Sequence, residues 1–252
     1  MRVAALYDMH GNLPALEAVL NEVRRKAVDQ IVIGGDVLPG PMPVECLDIV
    51  TRLEVPTHFI MGNGDREVLS RMSGVETEWY KAARPEWREP IDWTAQQLSP
   101  RHEKLIASWP ATLSLQIDSL GDVLFCHATP RNDKEIFTRL TAEERLLLVF
   151  ATVTASLAVC GHTHMQFDRR VGKTRVVNAG SVGMPFGRAG AEWLLLGLGI
   201  DLRHTNYDLH KAAQRIQQTK YPQSEDFVEK YVLHALPEEQ ILQGFAKAEL
   251  KE

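Results

Sequence analysis

The chain has 252 residues, 44% hydrophobic and 24% charged, with a net charge of -5 and a pI near 6.0. That is enough for one large domain with a buried core, and the acidic balance argues against a binder of long nucleic acid. No apolar run approaches the roughly 20 residues of a membrane span, and Asp8, His10 and Asn12 interrupt the N-terminal apolar stretch too early for a signal peptide.

Residues 2–12 read RVAALYDMHGN. Val3 to Leu6 has the length and content of a buried strand, and it gives way to Asp8, His10, Gly11 and Asn12. Asp8 and His10 are two residues apart, so in extended chain both side chains leave the backbone on the same side. Leu13, Leu16, Leu20, Val23 and Ala27 then recur at helical spacing. Asn12 suits the N-cap, Pro14 the first turn, and Arg24, Arg25 and Lys26 the negative end of the helix. The loop lacks G-x-G-x-x-G, which excludes a Rossmann dinucleotide site.

A second buried strand over residues 30–33 runs into Gly34, Gly35 and Asp36. Pro39, Gly40, Pro41 and Pro43 predict an irregular loop before a helix over 44–53. A third strand, 57–61, runs into Gly62, Asn63, Gly64 and Asp65. Three strand–loop–helix units predict a mainly parallel sheet with function at the carboxyl ends of its strands.

Residues 66–110 read as a helical excursion covering one side of the sheet. They hold Trp79, Trp87, Trp93 and Trp109, which are expected to pack in the core rather than form a base-stacking pocket. Strands follow at 112–117 and 123–126, the second ending in His127. Thr141 with Glu144 has the spacing of a capping box for a helix through Phe150. Another buried strand, 157–160, ends in Gly161-His162-Thr163-His164. A hairpin around Gly172-Lys173, a tight loop at 178–183 and a strand pair at 193–207 lead into a helical C-terminal extension at about 208–252. A single domain over 1–252 is expected. Cys46, Cys126 and Cys160 lie far apart and read as reduced buried thiols, which predicts a cytoplasmic protein.

Asp8, His10, Asp36, Asn63, His127, His162 and His164 therefore stand on five loops at strand ends. Four of the nine histidines fall immediately after apolar runs; His58, His102, His204, His210 and His234 do not. One catalytic zinc takes about three protein ligands. Seven nitrogen and oxygen donors suit two divalent ions about 3.5–4 Å apart with a shared carboxylate. Mixed imidazole and carboxylate fits manganese, iron or zinc better than magnesium or calcium.

The ordered set Asp8-Met9-His10-Gly11-Asn12, Gly35-Asp36, Gly62-Asn63, His127 and Gly161-His162-Thr163-His164 resembles the calcineurin-like metallophosphoesterase superfamily. Within it, the chain is similar to the small prokaryotic phosphodiesterases, including the diadenosine-tetraphosphatase-like branch. The resemblance implies an α/β fold, a four-layer α/β/β/α sandwich of two facing mixed sheets flanked by helices. It implies that Asp8, His10 and His164 hold one metal, that Asn63, His127 and His162 hold the other, and that Asp36 bridges. It further implies a metal-bridging hydroxide, set among Asp36, Asn63 and His127, that attacks phosphorus in line.

Much of the superfamily has histidine after the GN asparagine, where this chain has Gly64. Glycine carries no acid, so leaving groups that need little protonation are favoured, unless Asp65, Arg66 or another group helps. The expected activity is a phosphodiesterase on a small phosphorylated, nucleotide-like substrate. The alternatives are a catalytically weak metal-binding scaffold, or a phosphomonoesterase or nuclease on the same site; an oligomer is compatible with the C-terminal helices. Arg66, Arg131 with Asn132, and Asn12 are candidate substrate contacts, set against ion-pair and capping roles. Ser181 lacks a G-x-S-x-G context and reads as a turn residue.

Overall fold

In β1 (Val3–Leu6), alternate side chains enter two different cores. Val3 and Ala5, with Tyr7 beyond the strand, join an apolar layer with Val32, Phe125, Val159 and Leu194. Ala4 and Leu6 face Leu16 and Leu20 of α1 (Leu13–Lys26). Burial on both faces is why the run reads as continuously apolar.

The computed structural model describes residues 1–250. After α1 come β2 (Gln30–Ile33), α2 (Pro43–Thr51), β3 (Thr57–Phe59) and the helices α3 (Asn63–Met72), α4 (Glu78–Ala82), α5 (Pro85–Gln97) and α6 (Pro100–Ala107). The second half holds β4 (Thr112–Ile117), β5 (Gly121–Cys126), α7 (Glu143–Phe150), β6 (Leu157–Cys160), β7 (Phe167–Val171), β8 (Thr174–Asn178), β9 (Ala191–Leu196) and β10 (Ile200–Thr205). It ends in α8 (Leu209–Gln217), α9 (Ser224–Phe227), a π-helical stretch (Val228–Leu233) and α10 (Glu238–Ala248). No helix among the described residues is long and apolar enough to cross a membrane.

One sheet has the order β10-β9-β1-β2-β3 and the other β4-β5-β6-β8-β7. Only β1-β2-β3 and β5-β6-β8 run parallel; β4, β7, β9 and β10 pair antiparallel. The expected mainly parallel sheet is thus corrected to two mixed ones. The edge strands β4, β7 and β10 arrive through hairpins with β5, β8 and β9, which close antiparallel pairs with short turns. The sheets face each other across the Tyr7–Phe125 layer. The first is covered by α1 and α2 with side chains of α3, α5, α6 and α8 (Val68, Ile91, Ile106 and Ile216). The second is covered by Leu146 and Phe150 of α7, packed with Phe137 against Ala158, Cys160 and Val176. These are the four layers α/β/β/α.

Other local expectations also change. Helix formation resumes at Asn63, before residue 66, and Pro43 occupies the first turn of α2 rather than the loop. The capping box does not form: α7 starts at Glu143 behind Ala142, because Thr141 Oγ1 accepts instead from the Thr138 N–H at 2.9 Å. The tryptophans divide. Trp109 is buried and stacks on Phe59, and Trp93 packs edge-on to Tyr221. Trp79 and Trp87 stay 48% and 53% exposed, so the core reading fails for these two. Cys46, Cys126 and Cys160 are buried and free.

Candidate metal centre

Five loops, those after β1, β2, β3, β5 and β6, meet at one end of the two sheets. They are laced by backbone hydrogen bonds: Asp8 N–H donates to Gly35 O at 3.1 Å, His10 N–H to Asp36 O at 3.0 Å and Gly161 N–H to His127 O at 2.9 Å. Gly161 permits the close approach, since a Cβ there would lie 2.5 Å from Asp8 Oδ2.

Asp8 and His10 do converge, but not through strand alternation. The chain has left β1 by Asp8, and both residues adopt left-handed backbone, with φ of 54° and 46°. Asp36, His162 and His164 do the same, at 51°, 66° and 56°. Five of the eight non-glycine residues with positive φ among the described residues are thus candidate ligands. Such conformers cost of order 1–3 kcal/mol each and persist only where the surroundings enforce them.

The side chains form two groups, Asp8 with His10 and His164, and Asp36 with His127 and His162. Within each group one ligand atom per residue lies within 4.8 Å of the others. Asp36 Oδ2 stands between the groups, 3.5 Å from His127 Nε2 and 3.7 Å from His10 Nε2. Asp8 Oδ1 lies 3.5 Å from His164 Nε2 and 3.8 Å from His127 Nε2. His10 Nε2 and His164 Nε2 are 3.2 Å apart. One terminal atom of the Asn63 amide lies 3.0 Å from His127 Nε2 and 2.9 Å from His162 Nδ1, so Asn63 joins the second group. Turned with Nδ2 inward, the amide satisfies both rings. Turned with Oδ1 inward, it offers an oxygen to a cation.

Tautomers decide what these atoms present. His127 Nδ1 lies 3.0 Å from Gly34 O, and His164 Nδ1 lies 2.9 Å from Met184 O. A carbonyl only accepts, so each Nδ1 carries a proton, and each ring, once neutral, turns an Nε2 lone pair inward. Asp8 Oδ2 accepts from His162 N–H at 2.8 Å, but the buried Asp8 Oδ1 has no hydrogen-bond partner among the described residues. A buried carboxylate oxygen left alone is costly. Lone pairs of Asp8, Asp36, His127 and His164 all point into one space, and this donor set fits divalent cations.

Protonation follows the same geometry. Burial alone would depress His127, but Asp36, Asp8 and the Gly34 carbonyl outweigh it and hold the ring up at about 10. For His10 and His162 burial wins, and both fall to about 4. Burial opposes the charge on Asp36, yet the imidazoles of His127, His10 and His162 keep its carboxyl below the usual range. Without a cation, a proton therefore sits on His127 between two carboxylates. Loading the site with Mn²⁺ or Zn²⁺ at pH 7 should release about one proton per chain, since a metal takes the neutral ring. Titration calorimetry in buffers of different ionisation heat measures this, and a binding heat independent of buffer would contradict it.

The remaining candidates are placed elsewhere. Asp65 is fully buried and accepts from the N–H groups of Asp36, Gly62 and Leu38 at 2.7, 3.1 and 3.0 Å. It clamps the Asp36 loop and is not free to protonate a leaving group. Arg66 is held by Asp133 at 2.7 Å and Glu67 at 2.9 Å. Arg131 is paired with Glu135 and is absent from the walls of the two cavities that hold the donor residues. Asn132 Oδ1 accepts from Lys134 and Glu135 N–H groups in a turn. Asn12 is a buried cap, its Oδ1 accepting from Ala15 N–H and its Nδ2 donating to Gly183 O. Ser181 Oγ donates to Asp8 O at 2.7 Å, and Asn178 Nδ2 donates to Gly161 O at 2.6 Å. Both brace ligand loops, and the sequence reading missed that role for Asn178.

A cavity of about 730 Å³ has His10, Asp36, Asn63 and His164 in its wall. A second, of about 510 Å³, shares Asn63, Glu67, Trp79 and His162 with it and adds Arg66. No metal-ligand pattern announced Trp79 or Trp87 as lining residues; their unusual exposure is the only signal, and it is structural.

A family model for the calcineurin-like phosphoesterase superfamily domain matches residues 1–198. An uncharacterized protein of Methanocaldococcus jannaschii is 27% identical over 241 residues, 88% of this chain and 94% of that protein. A metallophosphoesterase from Sphaerobacter thermophilus has a similar structure, with a TM-score of 0.72 at 26% identity, covering 90% of this chain and 97% of that one. A hypothetical protein from Pyrococcus horikoshii shares the fold, with a TM-score of 0.77 at 19% identity over 90% and 96% of the two chains.

Proposed function

The chain belongs to the calcineurin-like phosphoesterase superfamily, and from that premise we propose that it is a two-metal phosphodiesterase acting on a small, nucleotide-like ester. The observation that carries the proposal is Asp36 Oδ2, poised between two three-residue donor groups. Asp8, His10 and His164 would hold one divalent ion, Asn63, His127 and His162 the other, with Asp36 shared. The nitrogen–oxygen mixture favours manganese, iron or zinc. When bound, such ions supply Lewis acidity toward water and toward the phosphoryl oxygens.

The chain's own residues then set the preference. His127 and His164 are locked by backbone carbonyls, so their Nε2 atoms are oriented before substrate arrives. Gly64 brings no acid. A Cβ there would lie 2.5 Å from Leu38 O and 3.0 Å from Pro39 Cδ, so a histidine cannot enter without moving backbone. With Asp65 clamped and Arg66 paired, no side chain in this corner is free to protonate a departing oxygen. Aryl and other good leaving groups are therefore preferred. Two cavities meeting at Asn63 and His162 offer a place for each esterified arm, which supports a diester over a monoester.

The test compares bis(p-nitrophenyl) phosphate with p-nitrophenyl phosphate on protein stripped by chelator and reloaded with manganese, iron(II) or zinc. The diester should be favoured in kcat/KM by about tenfold or more, the scale of one extra well-fitted group, and chelation should abolish turnover. A monoester preference would overturn the diesterase assignment. Stoichiometric metal without turnover would favour the scaffold.

A further inference from the structure

The larger cavity has a wall chemistry that the metal centre does not need. Its wall includes Phe186, Tyr231, Phe227, Tyr221, Trp87 and Trp79. Phe186 stacks on the His164 ring, centroids 5.4 Å apart and planes 21° apart, and Tyr231 lies 6.4 Å from Phe186 and 5.6 Å from Phe227. Ring contacts thus run from a candidate ligand through Phe186, Tyr231 and Phe227 to Tyr221, and Trp79 and Trp87 complete the aromatic lining of the same cavity. α5 and the C-terminal segment are joined there, with Gln223 Nε2 donating to Glu86 O.

Trp79 and Trp87 are the unusual members. Trp193 and Trp109 are 0% and 7% exposed, whereas these two are 48% and 53% exposed. Their indoles add little to the core, and large apolar surface left in water near a cavity marks a binding site. A volume of about 730 Å³ lies within the usual range of small-molecule pockets.

The charges along this wall are already matched. Arg84 pairs with Glu86 at 3.1 Å, Lys230 with Asp226, and Glu67 with Arg66 at 2.9 Å. Among the described residues each cation on the cavity wall already has a carboxylate partner, which a second phosphate would have to displace.

We propose that this cavity receives the substrate arm that carries a flat aromatic group on a single phosphate, a nucleoside monophosphoryl arm whose base stacks on Trp79 and Trp87. The substrate class is then a diester of a nucleoside monophosphate rather than a dinucleoside polyphosphate, which narrows the branch-level expectation from sequence. The assignment rests on the phosphoesterase reading for its chemistry and on the aromatic wall for its specificity.

The test uses two esters with one leaving group, thymidine 5′-(p-nitrophenyl phosphate) and methyl p-nitrophenyl phosphate. In each, water adds to phosphorus, the bond to the aryl oxygen breaks, and p-nitrophenolate and a proton are released. The other product is thymidine 5′-monophosphate or methyl phosphate. Stacking is worth about 5- to 150-fold per base, so kcat/KM should favour the thymidine ester on that scale. Trp79→Ala with Trp87→Ala should cut the ratio about tenfold, and Trp79→Phe with Trp87→Phe should restore most of it. A wild-type ratio near one, or an alanine variant that keeps the wild-type ratio, would overturn the proposal. Should neither ester react with any metal, the phosphoesterase reading falls, and the cavity is judged by binding alone. Thymidine 5′-monophosphate should quench the tryptophan fluorescence of the metal-free chain and fail to do so in the alanine variant. Absence of wild-type quenching counts against the aromatic site, and tighter binding of thymidine 5′-triphosphate than of the monophosphate counts against the single-phosphate arm.

Discussion

Asp36→Asn is expected to lower kcat of the metal-loaded protein by about a thousandfold or more while leaving the fold intact. Asp36 Oδ1 accepts from Gly64 N–H at 2.7 Å, which anchors the side chain at the start of α3. Asparagine can keep that bond with its own oxygen. Its amide nitrogen then takes the place of Oδ2, facing the Nε2 atoms of His127 and His10 that now stand 3.5 and 3.7 Å from it. It would donate to those atoms once they are neutral, competing with a cation, and would remove one of the two carboxylate charges, with Asp8, that reach both groups. Metal content should fall from two ions per chain to one or fewer, and the circular-dichroism spectrum should not change. A variant that retains two ions and activity within about tenfold of wild type would show that Asp36 is not shared.

The second large effect is on stability. Supplying Mn²⁺ to the stripped protein at about 100 to 1,000 times its dissociation constant stabilises the fold by roughly 2.7–4.1 kcal/mol per site. For a chain of this size each kcal/mol moves the melting temperature by about 2–4 °C, so a rise on the order of 5–16 °C is expected from one site. The sign of its pH dependence follows from His127, held up at about 10 mainly by Asp36 and Asp8 against the pull of burial. Below that value a proton occupies the ring that the metal requires neutral, and competition strengthens as pH falls. The shift should therefore be larger at pH 8 than at pH 6 for the same metal concentration. No shift at either pH would mean that the lone pairs converging from Asp8, His127 and His164 do not hold a cation, and equal shifts would mean that the cation displaces no proton from His127.

The parts of this site legible in sequence are those where local pattern and burial coincide. Val3–Leu6, Gln30–Ile33 and Leu157–Cys160 lie within packed layers, so they read as apolar runs, and the polar residues that follow them mark the loops. Pairings that depend on distant chain leave no such trace. Val3 lies opposite Leu196 of β9 as well as Gln30 of β2, and nothing near residue 3 announces a neighbour from the other end of the domain. Asp65 stood in plain view next to the GN pair, yet its role came from three backbone N–H groups, two on the loop after β2 and one at Gly62. Trp79 and Trp93 are the same residue type in the neighbouring helices α4 and α5. Only packing separates the one left in solvent from the one set against Tyr221.

At positions 8, 10, 36, 162 and 164 the backbone is bent into a shape that glycine would adopt with less resistance than the aspartates and histidines found there. Against a net folding margin of about 5–15 kcal/mol, five such bends are a heavy demand. The two sheets act like the limbs of a drawn bow, keeping these loops flexed before any ion arrives. A cation entering between these groups would then need little rearrangement, and the fixed spacing of the grip would set which ions fit. An ion wanting longer bonds would have to flex the loops further, against sheets that already hold them under tension.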